Sequence, residues 1–142
     1  MNSREAIKVS ADMAEFVSMS YLGDLTDAEL FLRPHSLCNH INWQIGHLVA
    51  SEHEMLTGIV PGGMPALPDG FAAKYSRETV ASDDPTKFSN KEELMSTYKA
   101  QRAATLSTLG GMSDAQLDAA TGVDYAPTAQ STRTRRVRAR YC

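Results

Sequence analysis

The chain has 142 residues and weighs 15.5 kDa, one domain's worth, which excludes a second packed catalytic domain. Apolar residues make up 42% and charged residues 22%, values that exclude a disordered or fibrous chain. The net charge of −3 hides an asymmetry: residues 1–123 hold 9 basic and 16 acidic groups, residues 124–142 hold 5 and 1. Phosphate binding could rest on the tail alone, so nucleic acid is not an expected partner.

Apolar runs are short and the opening MNSREAIK lacks an apolar stretch, so neither a membrane span nor a secretion signal is expected and the expected location is cytoplasmic. Cys38 and Cys142 have no CxxC spacing and support neither a disulfide framework nor a zinc knuckle.

Helical periodicity without strict alternation predicts an all-α fold. From Ser3 to Leu22 a stripe of helical period runs through Ala6, Val9, Met13, Phe16, Val17 and Tyr21, and Gly23 supplies the stop. Thr26 and Glu29 have capping-box spacing before a short turn that Pro34 ends. A second helix is predicted from about Leu37 to Ile59, closed by Pro61 and the Gly62-Gly63 pair. On its wheel Ile41, Ile45, Leu48, Val49, Met55, Leu56 and Ile59 fill one arc. A polar row of His40, Gln44, His47, Ser51 and Glu54 borders that arc, and Trp43 flanks the row on its other side. Polar groups between two apolar sectors read as a pocket wall. Residues 61–88 hold four of the six prolines and three glycines, which predicts a long covering loop. Ser89 and Glu92 then have capping-box spacing for a third helix that continues through Leu94, Tyr98, Thr105, Leu106 and Leu109 to Gly110-Gly111. Ser113 and Gln116 cap a short helical turn, and beyond Gly122 the basic tail STRTRRVRAR has no apolar period.

A catalytic metal needs about three converging protein ligands and an open position. The four histidines are His35, His40, His47 and His53, with no HxxxH spacing. His40 and His47 share a face but are separated by roughly 10.5 Å of helix rise, too far to grip one ion, and His53 points about 120° away from His47. On spacing alone His47 reads as a hydrogen-bonded structural residue, His40 as a cap or brace of the helix start, His35 as a turn residue and His53 as solvated. Asp83 and Asp84 read as turn chemistry, and Cys38 as buried packing.

The stretch RPHSLCNHINWQIGHLVASEHEML resembles the second-helix signature NxxxWxxGHL of the DinB-like superfamily, with Asn39, Trp43, Gly46 and His47 in the matching positions. LGDLTDAELFLRP before it and LPDGFAAKYS and SNKEELMSTYKAQRAATLSTL after it are similar to family features, so that the resemblance spans residues 5–125. The resemblance implies an up-down four-helix bundle around a divalent metal, zinc or nickel, held by three histidines. It makes residues 1–125 the helical domain and 126–142 an atypical basic tail. It also implies that His47 is the first metal ligand, and the wheel adds His40, Trp43, Gln44, Ser51 and Glu54 as pocket-lining candidates. Relatives carry the other two ligands as an HxxxH pair on a fourth helix, whereas no histidine follows His53 here. The fourth helix is therefore expected to be truncated or replaced, through a frameshift, an annotation error or a truncation. The implied function is a metal-dependent enzyme of the low-molecular-weight-thiol S-transferase type, acting on a small-molecule thiol such as bacillithiol or mycothiol and an electrophile, with an incomplete metal site. The alternative is a non-catalytic helical bundle that self-associates as a homodimer, because a bundle lacking one helix leaves an apolar face open.

Overall fold

The computed structural model of the chain describes residues 2–120, and among them there is helix but no strand. The elements are α1 (Ser3–Leu22), α2 (Asp27–Leu30), α3 (Ile41–Ile59), α4 (Phe71–Lys74), a 3₁₀ turn (Pro85–Lys87), α5 (Lys91–Gly111) and α6 (Asp114–Asp118). The expected fourth bundle helix and the basic tail at 126–142 lie outside the described residues. Among the described residues no helix is long and apolar enough to cross a membrane.

Local chemistry sets most boundaries. The Asn2 side chain accepts from the Glu5 N–H while the Glu5 carboxylate accepts from the Asn2 N–H, which closes a capping box on α1. Thr26 with Glu29 and Ser113 with Gln116 do the same for α2 and α6, as their spacing predicts. The second long helix starts at Ile41, not near Leu37, because Arg33 holds the preceding segment as a turn. Its guanidinium donates to the Cys38 carbonyl at 2.9 Å and the Val80 carbonyl at 2.9 Å, and Cys38 is buried. Asn90, not Ser89, caps α5 by accepting from the Glu93 N–H at 2.9 Å. Ser89 has other partners: its carbonyl accepts from the Asn42 amide at 2.8 Å and its N–H donates to the Tyr75 hydroxyl at 3.1 Å. Gly110 and Gly111 stay helical and Met112 is the C-cap, within the usual play of a helix end.

The segment 61–88 is more than a cover. Gly70 takes a left-handed φ of 71°, which turns the chain into α4, and Phe71 and Tyr75 are each 1% exposed. They join Trp43, Val49, Phe88, Leu94 and Tyr98 in the core. No period marks this segment because its few buried residues are placed by contact with α3 and not by regular structure of their own.

Helix α5 is central, contacting both α3 and α1, and α6 also contacts α1. The less exposed side of α1 is formed by Arg4, Ala11, Glu15, Ser18, Met19 and Leu22. Its apolar stripe lies elsewhere, with Val9 57%, Met13 59%, Phe16 69% and Tyr21 76% exposed. Part of the predicted apolar arc of α3 is open too, at Leu48.

Candidate functional site

The wall around His47 begins with an absent side chain. A Cβ at Gly46 would stand 2.3 Å from Cδ1 and Cε1 of Tyr75 and 2.4 Å from Cγ, so the Tyr75 ring lies directly on the α3 backbone. The Tyr75 hydroxyl donates to the Asn42 side-chain oxygen at 3.2 Å and accepts from the Ser89 N–H at 3.1 Å. That network joins α3, α4 and the start of α5. Burial pushes the phenol above its ordinary pKa, so it keeps the proton that it donates.

Tyr75 in turn fixes the histidine. Nδ1 of His47 is 3.1 Å from the Tyr75 carbonyl; a carbonyl can only accept, so Nδ1 carries the proton and, in the neutral ring, the lone pair is on Nε2. The Trp43 ring stacks on the imidazole at 4.5 Å and 11° between planes. Trp43 is itself anchored by its indole N–H, which donates to the Thr79 hydroxyl at 3.1 Å. One ring face and one ring nitrogen of His47 are thus spoken for.

His47 lines a depression of about 480 Å³ together with Ser51, His53, Glu54, Tyr75 and Ser76. His53 corrects its sequence reading as a solvated residue. Its Nδ1 lies 3.1 Å from the Gln101 side-chain oxygen. Gln101 is 2% exposed, and its amide nitrogen donates to the Pro65 carbonyl at 2.9 Å, which turns the amide oxygen toward His53. His53 Nδ1 therefore donates, and its neutral ring also has the Nε2 lone pair. No helical spacing reveals this, because the partner comes from α5.

Three of the six sequence candidates, His47, Ser51 and Glu54, share that depression, and Trp43 backs it through the ring stack. The other two are placed differently. Gln44 is exposed and its amide donates to the Asn39 carbonyl at 2.7 Å. His40 is fully buried, and both of its ring nitrogens are used: Nδ1 accepts from the Trp43 N–H at 3.0 Å and caps α3, and Nε2 donates to the Ser82 carbonyl at 3.1 Å. It is a cap and not part of the depression's lining. Burial lowers its pKa, with the Ser82 carbonyl partly offsetting the shift.

A three-histidine centre does not fit these residues. Among the described residues no group of three or more His, Cys, Asp or Glu side chains is placed to hold an ion, His40 has no nitrogen to spare, and no histidine follows His53. What is present is one imidazole oriented as a metal-binding histidine is, its far nitrogen donating to a carbonyl, with a second imidazole and a carboxylate along the same depression.

No curated protein and no solved structure matches the chain. The sequence profile of the DinB superfamily matches residues 14–139, a range that includes α3, α4 and α5 around His47, and the chain therefore belongs to the DinB superfamily.

Proposed function

We propose that the chain is a divalent-metal-dependent protein of the thiol S-transferase type, working in the cytoplasm on a small-molecule thiol or its electrophilic partner, with a metal site that it does not complete by itself. The observation that supports this reading is the hydrogen bond from His47 Nδ1 to the Tyr75 carbonyl, which keeps the Nε2 lone pair of the neutral ring ready for an ion such as zinc or nickel. With the ligand set unfilled, no chemical step is assigned to the ion.

The test is a titration of untagged full-length protein with zinc and nickel against a chromogenic chelator, beside His47→Ala. The expected result is one weak site that desalting strips and that His47→Ala abolishes, with thiol addition to an electrophile accelerated only at concentrations that fill it. Binding indifferent to His47→Ala overturns the reading.

A second reading, a non-catalytic bundle that self-associates, is favoured by a different observation: the exposed apolar stripe of α1.

A further inference from the structure

We propose that His40 is a proton-operated latch: taking up a proton uncaps α3 at Trp43 and loosens the ring stack that presents His47. The proposal concerns the support of His47 and does not depend on an ion or a substrate bound there.

The ring of His40 is fully buried, 4.9 Å from the Phe31 ring and edge-on to Phe88 at 5.0 Å. Its Nδ1 accepts from the Trp43 N–H at 3.0 Å and its Nε2 donates to the Ser82 carbonyl at 3.1 Å. One protonation state satisfies both bonds, the neutral ring with its proton on Nε2. A second proton has to go on Nδ1, where it meets the Trp43 N–H donor against donor. The cap is then lost, and a positive charge stands at the positive end of the α3 dipole. The Ser82 bond survives, because Nε2 still donates. Of the charged groups acting on the ring, Arg33 from the turn before α3 opposes the charge and Asp83 favours it. These two are paired with each other, and Phe31 and Phe88 face the ring from the end of α2 and from just before α5.

Trp43 carries the change to His47. Its indole N–H donates to the Thr79 hydroxyl at 3.1 Å, and the Ser82 N–H donates to the Thr79 carbonyl at 2.9 Å, so His40 and Trp43 grip the same turn. Uncapping frees the Trp43 backbone while that turn still holds its indole, and the strain falls on the stack with His47, now at 4.5 Å and 11°. Burial lowers the pKa of the His40 ring, which keeps the latch shut at neutral pH and opens it below the ordinary histidine value of about 6.5.

Trp43 is the chain's one tryptophan and is 6% exposed, so its fluorescence reads the latch. The experiment takes the full chain from about pH 7.5 to 4.5. The expected result is a reversible red shift of the emission with greater acrylamide quenching, while helical circular dichroism is largely kept. His40→Asn, which can cap α3 without a titrating ring, abolishes the transition. His47→Ala keeps it, which separates the latch from quenching by the stacked imidazole itself. Nitrogen NMR follows His40 without a substitution, and its Nδ1 should gain a proton over the same interval. No change in emission, emission and dichroism falling together, an unaltered transition in His40→Asn, its absence in His47→Ala, or a His40 ring that stays neutral throughout each overturns the proposal.

Discussion

Replacing Gly46 by alanine puts two effects of opposite sign against each other. In a helix interior alanine is favoured over glycine by about 1 kcal/mol, so a site open to solvent would gain stability. Here the new methyl would sit 2.3 Å from two Tyr75 ring carbons, more than 1 Å inside normal contact on the ~3.5–4.0 Å scale of carbon pairs. The ring has little room to retreat: it is 1% exposed, tilted against Phe71 at 4.7 Å and Phe88 at 5.7 Å, and pinned by its hydroxyl to Asn42 and Ser89. Overpacking of this kind costs about 1–3 kcal/mol, and giving up the hydroxyl's bonds adds about 1 kcal/mol each. The net expectation is a loss of about 2–4 kcal/mol, a large share of the ~5–15 kcal/mol that holds a domain together. Urea unfolding measures it. The same substitution in a Tyr75→Ala background should stabilise by about 1 kcal/mol, because the obstruction is gone and the helix propensity remains. Nitrogen NMR of the imidazoles adds a second readout, since a displaced Tyr75 carbonyl releases His47 from its single tautomer. If Gly46→Ala stabilises the otherwise unaltered chain, Tyr75 does not lie on the α3 backbone and the account of the His47 wall fails.

Three other outcomes follow from named contacts. His40 has a pKa below its ordinary value because it is buried, so between that value and ~6.5 the unfolded chain binds more protons than the folded one. Its contribution is complete above about pH 6.5 and is lost as the pH falls below it; His40→Asn, which can still cap α3, should flatten the decline in urea midpoint between about pH 7.5 and 5, and an equal slope in both proteins refutes the assignment. Arg33→Lys should cost about 1–3 kcal/mol in urea unfolding, because a single ammonium nitrogen cannot reproduce the fork in which separate guanidinium nitrogens reach the Cys38 carbonyl, the Val80 carbonyl and Asp83. Asp83→Asn should cost below about 1 kcal/mol, since the Asp83 side chain in its ion pair with Arg33 is 63% exposed.

The sequence made local features legible and long-range ones opaque. The bounds of α1, the end of α3 at Ile59 and the boxes at Thr26 and Ser113 depend on residues within one turn of each other. The signature around Gly46 and His47 also led to the right family. Periodicity located the stripe on α1 but said nothing of its direction, because amphipathicity identifies a face and not the neighbour that covers it. Ser89 and Asn90 are equally good caps by residue type, and the choice between them is made by Asn42 and Tyr75, distant in sequence. His53 was misread for the same reason, its partner Gln101 being 48 positions away. Tyr75 sat in a stretch with no period, although a glycine directly before a helical histidine is the kind of signal that marks close approach of another group to the backbone.

That last contact changes what the family signature reports. Gly46 admits the Tyr75 ring to the α3 backbone, the Tyr75 carbonyl holds His47 Nδ1, and Trp43 stacks on the ring while Thr79 anchors its indole. Each step is a packing or hydrogen-bonding requirement for presenting one imidazole, and none requires an ion or further ligands. A chain can therefore keep Trp43, Gly46 and His47 in full working order while no three-ligand group forms among its described residues. The signature reports the packing that presents His47, and says nothing of how many other groups face it. Removing the support and removing the imidazole should accordingly differ: Gly46→Ala costs stability and releases the His47 tautomer together, whereas His47→Ala, which leaves Tyr75 and its hydroxyl network in place, costs less stability in urea unfolding.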